Sequence, residues 1–311
     1  MPMPAIIAAT DFTPRSAQTG ERAALVARTL QARLILAHAI PASATDQPDA
    51  GVVDATAIEA TRADDSVADG GVAEDAQGTL ARISRSLRRR PRGPANPEAA
   101  LLTLARRLGP EVEVRLLHGP VSAALSDLVA QEAALMLVLG LHRERRVLDV
   151  LRLTTMERIV LAATVPVLIA HQRPREGYRR VLAPTDFSPA SAAALRMAAR
   201  LAPDASFHAI HALQLPLGAR FSPGDTATDA ALTRAEQLRA AFVAMPGLPE
   251  FAEPPEIVPG GVHEVLTFRQ NELQADLLCI GTHSGRDPSQ LGNYARDLMR
   301  APPADLLIAK P

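Results

Sequence analysis

Residues 7–14 read IAATDFTP, and residues 182–189 read LAPTDFSP. A chain that writes one segment twice is constrained first by that repeat. At a spacing of 175, Ile6-Ile7-Ala8 falls on Val181-Leu182-Ala183, Asp11 on Asp186, Ser16 on Ser191 and Ala23-Ala24 on Ala198-Ala199. After a two-residue shortening, LILAHAI (34–40) falls on FHAIHAL (207–213), which matches His38 with His211. At a spacing of 141, residues 118–140 align without a gap on 259–281, and VPVLIA (165–170) falls on ADLLIA (304–309). The chain is therefore a tandem pair. The first unit covers 1–171, a charged, proline-containing linker covers 172–179, and the second unit covers 180–311.

Each unit alternates strand and helix signals. In the second unit, 180–185 is a continuous apolar run ending in Asp and Pro. Residues 188–201 carry apolar side chains at helical spacing, with Ser188 as N-cap and Pro189 in the first helical position. Strands are expected at 207–213, 256–258, 275–281 and 304–309, and helices at 228–244, 262–272 and 293–300. Continuous apolar strands separated by helices indicate a parallel sheet covered on both faces. Right-handed crossovers then give an α/β, doubly wound, Rossmann-like unit. The 311 residues suffice for two such domains, and 47% are hydrophobic. Aromatics are only 3%, so Ala, Leu and Val must fill the core.

Charge excludes some classes. With 33 basic and 34 acidic residues the net charge is −1, so no global field draws the chain to nucleic acid or membrane. No apolar run approaches the ~18 residues of a membrane span, and the N-terminal apolar run is too short for a signal peptide. A cytoplasmic location is expected. The lone cysteine, Cys279, lies in an apolar strand and reads as a core thiol. Residues 41–79 are rich in Ala, Asp and Gly and poor in large apolar residues, which predicts disorder. The segment 80–94, LARISRSLRRRPRGP, reads either as a solvated helix with a basic end or as a docking patch for phosphate, nucleic acid or an acidic partner. It lacks aromatics for base stacking, and no sequence-specific nucleic-acid binding is expected.

Asp11 and Asp186 stand where the first strand of each unit runs into its helix. Ligands of open parallel sheets bind at the carboxyl ends of the strands. A carboxylate there can accept from a ribose hydroxyl or an adenine amino group, and it can also cap the helix; the two roles can coexist. After the fourth strand of the second unit comes GTHSGRDPSQLGNYARDLM (281–299). Glycines there allow backbone amides to approach phosphate at a helix start.

These segments, with VPVLIA, resemble the universal stress protein family in its tandem-domain form. The resemblance implies two five-stranded domains on the adenine nucleotide alpha hydrolase-like plan. They would pair through their last strands as an intramolecular pseudo-dimer, open to further homo-oligomerisation. It also implies Gly-x2-Gly-x9-Gly-(Ser/Thr) as the phosphate loop, ATP or another adenine nucleotide as ligand, and Mg only together with that nucleotide. On this chain the implied binding residues are Pro184, Thr185, Asp186, Ala212, Gly281, His283, Gly285, Gly292, Asn293 and Tyr294. The first unit supplies the weaker set Asp11, Gly140, Arg143 and Thr154.

The two loops depart from the pattern differently. From Gly140 to Leu153 the first loop keeps the family's 13-residue span, but Arg143 and Leu153 replace its glycines. From Gly281 to Gly292 the second spans 11 residues, keeps both end glycines, and carries Ser284, Asp287 and Asn293. His142 and His283 stand at matching positions as pocket-lining groups or exposed loop residues. His208 and His211 lie on opposite faces of one strand and cannot share a metal. Ser122 and His263 read as helix-starting residues. Zinc spacing, a Gly-x-Ser-x-Gly elbow and a Walker loop are all absent from the sequence. The expected function is a non-enzymatic stress-response protein that binds nucleotide in its second unit. The alternatives are an interaction protein with both sites degenerate, and an ATP-hydrolysing enzyme.

Overall fold

The computed structural model describes residues 3–40, 94–141, 154–171, 174, 176–215, 226–282 and 291–310. The expected disorder of 41–79 and the basic segment 80–93 lie outside them. So do His142, Arg143, Leu153, His283, Ser284, Gly285 and Asp287.

The first unit contributes β1 (Ala5–Ala9), α1 (Pro14–Thr29), β2 (Arg33–Ile40), α2 (Pro97–Leu108), β3 (Glu113–His118), α3 (Val121–Gln131), β4 (Ala134–Gly140), α4 (Thr155–Ala162) and β5 (Val167–Ala170). The second contributes β6 (Arg180–Pro184), α5 (Pro189–Leu201), β7 (Ser206–Leu213), α6 (Thr226–Val243), β8 (Glu256–Pro259), α7 (Val262–Leu273), β9 (Leu277–Gly281), α8 (Asn293–Arg300) and β10 (Asp305–Ala309). The ten strands form one sheet in the order β3-β2-β1-β4-β5-β10-β9-β6-β7-β8. Within each unit neighbouring strands run parallel. Between units, β5 and β10 run antiparallel, with Leu168 opposite Leu307, Ile169 opposite Leu306 and Val167 opposite Ile308. The sheet is thus mixed but mostly parallel.

The strands are apolar throughout because both faces are covered. In β1, Ile6 and Ala8 enter one core cluster while Ala5 and Ile7 enter another. In β10, Leu307 and Ala309 join the first cluster, Leu306 and Ile308 the second. This is the period-2 alternation of a strand, applied between two helical layers. Both clusters contain residues of both units. Alanines allow the close approach: α5 buries Ala190, Ala192, Ala194 and Ala198 against the sheet. Cys279, 1% exposed, faces the first cluster, and burial pushes its thiol pKa up. A thiol probe should therefore react with native protein only at the rate of unfolding and stoichiometrically in denaturant. Fast native labelling would contradict this packing.

Polar contacts also join the units. Asp305, at the start of β10, is 1% exposed. Its Oδ2 lies 2.7 Å from Arg22 Nε of α1 and accepts from Tyr178 Oη at 2.8 Å, while its Oδ1 accepts from His171 N at 2.8 Å. The Arg22 guanidinium stacks over the Tyr178 ring at 4.3 Å. Tyr178 belongs to the segment read as a linker. The structure buries it, and that burial together with Asp305 raises its pKa. Lys310 Nζ donates to Leu161 O at 2.6 Å and Ala163 O at 2.7 Å, closing the C-terminal end of α4 from the other unit.

Candidate functional site

Strand order fixes where a ligand can sit. In the first unit the order reverses between β1 and β4, and in the second between β6 and β9. The crevice outside the carboxyl ends of those pairs is the expected binding place. It brings Asp11 beside Gly140, and Asp186 beside Gly281.

The repeated octapeptide builds one turn twice. Thr10 and Thr185 are buried, and their hydroxyls accept from Phe12 N at 3.2 Å and Phe187 N at 2.9 Å. Oδ1 of Asp11 and of Asp186 accepts from Thr13 N and Ser188 N, each at 3.0 Å. Between these two side-chain turns the phenylalanines take φ of 60° and 62°, which bulky residues seldom adopt. Each ring is held against a histidine: Phe12 lies 4.4 Å from His38, and Phe187 lies 5.0 Å from His211. The histidine Nδ1 sits 2.7 Å from Thr10 O and 2.8 Å from Thr185 O. A carbonyl only accepts, so Nδ1 carries the proton. Thr13 and Ser188 cap α1 and α5 through Ser16 N and Ser191 N, and Pro14 and Pro189 open the helices. His38 and His211, matched by the repeat, are thus parts of the turn.

The copies differ at the carboxylate. Ser191 Oγ donates to Asp186 Oδ1 at 2.8 Å, whereas its counterpart Ser16 donates to Thr13 O at 2.8 Å. Asp11 Oδ1 takes the Thr13 hydroxyl at 2.7 Å. Among the described residues, both donors to Asp186 use Oδ1. Pro184 and Thr185 precede this carboxylate on β6. Ala212 lies partly buried on β7, two residues beyond Ile210, the partner of Pro184.

The strand-ending glycines have a packing role that the sequence reading assigned to phosphate. A Cβ on Gly281 would lie 2.7 Å from Ala190 Cβ and 2.8 Å from Ala190 C. One on Gly140 would lie 2.6 Å from Thr19 Oγ1. Both let the first helix of the unit cross its fourth strand. Gly292 is different: among the described residues a Cβ there meets nothing within 4 Å, and its φ of −60° suits any residue.

Gly292, rather than Asn293, is the N-cap of α8, and among the described residues no side chain caps that helix. Asn293 is its exposed first residue. Gly261 caps the neighbouring α7, again with no side-chain bond. Tyr294 packs against the second core cluster and against the smaller one on Leu182 and Ile210. Its ring lies 5.2 Å from that of His263, and burial raises its pKa. His263 Nε2 stands 3.3 Å from Asp297 Oδ2, joining α7 to α8. His263 falls in the first turn of α7, as the sequence suggested.

The equivalent helix end in the first unit is closed. Thr154 caps α4 with its hydroxyl on Glu157 N at 3.2 Å, and Glu157 Oε2 accepts from Thr154 N at 2.6 Å. This reciprocal capping box places a carboxylate, 1% exposed, on the N-cap amide of α4. Glu157 was not singled out in the sequence, although Thr-x-x-Glu before an apolar run is the signal for it. Among the described residues no group of His, Cys, Asp and Glu could hold a metal ion, and no helix is long and apolar enough to cross a membrane.

The model of the universal stress protein family matches the chain twice, over residues 3–171 and 177–310. The chain belongs to the universal stress protein family. Solved structures agree on the fold. A putative universal stress protein from Pseudomonas aeruginosa UCBPP-PA14 is 16% identical, with a TM-score of 0.56 over 99% of this chain and 94% of that one. One from Archaeoglobus fulgidus DSM 4304 is also 16% identical, with a TM-score of 0.56 over 98% and 96%. A universal stress protein in complex with cAMP is 18% identical, with a TM-score of 0.35 over 55% of this chain and 98% of that one. No curated protein matches. Family membership accounts for the tandem α/β plan, and at the helix that follows the fourth strand this universal stress protein departs from its own symmetry at Glu157 and Gly292.

Proposed function

We propose that this universal stress protein is a non-catalytic, cytoplasmic stress-response protein that takes an adenine nucleotide in its second unit only. The observation that carries the reading is the contrast between the two helix ends. The α8 amides follow a glycine N-cap and meet no side-chain acceptor among the described residues, whereas the equivalent end of α4 is filled by Glu157. Helix-end amides and the helix dipole favour a phosphate. Asp186, with Oδ2 left over from the turn, accepts from a ribose hydroxyl or an adenine amino group. Mg enters with the nucleotide as its counter-ion. The β5–β10 ladder and the clusters shared by both units support an intramolecular pseudo-dimer that acts through conformation or partners.

Gly292→Asp tests the reading with two opposite signs. An N-cap carboxylate should stabilise α8 by about 0.5–1 kcal/mol and occupy the place of the phosphate. The variant should unfold at a slightly higher temperature than wild type and lose the thermal response to ATP-Mg. Wild type at 100 times its dissociation constant should gain ~2.7 kcal/mol. A wild type that ignores ATP-Mg would overturn the nucleotide reading. It would leave the interaction protein with both sites degenerate, which Arg143 and Leu153 in the first loop and Asp287 in the second favour.

A further inference from the structure

The β5–β10 ladder places Leu168 opposite Leu307, the residues that the repeat makes equivalent at a spacing of 139. A position that faces its own equivalent marks a two-fold axis. At the same spacing Glu157 of α4 is equivalent to Arg296 of α8. These two also face each other: Glu157 Oε1 lies 4.0 Å from Arg296 Nε, and Arg300 of α8 adds a second guanidinium at 3.8 Å. Both facing atoms are buried, and neither has a hydrogen-bond partner. In a dimer of two identical units this position would oppose acid to acid or base to base.

We propose that Glu157 and Arg296 are a partner-selection device: they favour pairing of the first unit with the second and disfavour association of either unit with a second copy of itself. The partner of each surface is the other unit of the same chain. Two first units would bring two carboxylates together in a site 1% exposed, and two second units would bring two guanidiniums together. Like charges opposed in a desolvated contact are a repulsive element that no apolar ladder can supply. The apolar side chains of β5 and β10 are nearly self-complementary and cannot discriminate, so selection falls to the polar contacts between the units, and Glu157–Arg296 is the one in which equivalent positions face each other. Glu157 also closes the α4 end in the proposed function, but this inference rests on the α4–α8 contact, and its test reads stability and association rather than nucleotide.

Charge reversal in the full chain tests it. Arg296→Glu recreates on the axis the acid pair that two first units would make, and Glu157→Arg recreates the basic pair of two second units. Each single reversal should lower the unfolding midpoint by about 4–8 °C. The double reversal, E157R with R296E, should recover at least half of the summed loss, although the α4 cap is still missing. A double variant whose loss equals the sum of the two singles would overturn the proposal. If E157R does not fold, the neutral set E157Q, R296Q and E157Q/R296Q gives the same cycle. There, too, the double variant must lose less than the sum. Light scattering on R296E should show more self-association than wild type at equal concentration, and an unchanged monomer across all variants would contradict the selective role.

Discussion

Asp305→Ala should destabilise the protein by about 3–5 kcal/mol, the cost of stranding a buried charge. The alanine would leave the Arg22 guanidinium, 6% exposed in all, without its carboxylate 2.7 Å away. It would also remove the acceptor of Tyr178 Oη and that of His171 N, and each such buried donor adds a further cost. Arg22 would keep its bond to Glu176 O at 3.1 Å and its stack on Tyr178, so the fold should survive. The lost contacts come from α1, the 172–179 segment and β10, so the weakened region is the seam between the units. Denaturant titration should show a lower midpoint, with a second transition if the units then unfold separately. Asp305→Asn keeps an acceptor and loses only charge, so it should cost about half as much. Exchange of Arg22 and Asp305 for a well-packed apolar pair should be far milder than either single change, as for other buried ion pairs. A loss below 1 kcal/mol in Asp305→Ala would mean that the apolar ladder alone holds the seam.

What the sequence made legible was whatever the two copies share. The strand run at 180–185, the Ser188 cap with Pro189, and the helix at 293–300 were found because local signals and the repeat agreed, and the structure places β6, α5 and α8 there within a residue. The octapeptide could be located but not decomposed. Sequence shows a threonine, an aspartate and a phenylalanine in a row. It does not show that two side-chain turns overlap there and carry the phenylalanine to positive φ. The packing role of the strand-ending glycines was not legible, because a glycine that admits a phosphate and a glycine that admits a crossing helix look identical until Ala190 and Thr19 are located. Arg22, Tyr178 and Asp305 escape a sequence reading because each acts on a residue far away in the chain, as does Glu157 in its contact with Arg296, although its cap on Thr154 is local. A usable signal did exist, namely failure of the repeat. Arg22 aligns with Met197, Asp305 with Pro166, and Glu157 with Arg296. Where a duplicated pair meets itself, the positions that stop matching are those at which each copy has adapted to the other. The candidate site follows the same logic. Its uncapped form is read at Gly292 and its closed form at Thr154 and Glu157, and the proposed division of roles rests on that asymmetry.

Gly281→Val should be the most damaging single change at the crevice, and comparison with Gly140→Val shows why. At Gly281 an added Cβ meets Ala190 Cβ at 2.7 Å, Ala190 C at 2.8 Å and Ser191 N at 3.0 Å. Two of those three atoms are backbone of the first turn of α5, which cannot rotate aside. The helix must move bodily, and it is tied down by Ser188 at its cap and by the Ser191–Asp186 bond at 2.8 Å. At Gly140 the near contact is Thr19 Oγ1 at 2.6 Å, the end of a side chain, and the backbone atom Ser16 Cα is 3.9 Å away. Thr19 can swing clear by giving up its 3.2 Å bond to Arg15 O. Overpacking costs about 1–3 kcal/mol and more where backbone must shift. Gly281→Val should therefore reach or exceed the top of that range, and Gly140→Val should stay near the bottom. Because α5 and Asp186 move together, Gly281→Val should also abolish any ATP-Mg response at temperatures where the variant remains folded, while Gly140→Val should leave that response intact. Equal losses of stability in the two variants would show that the helix-to-strand crossings are softer than this geometry allows.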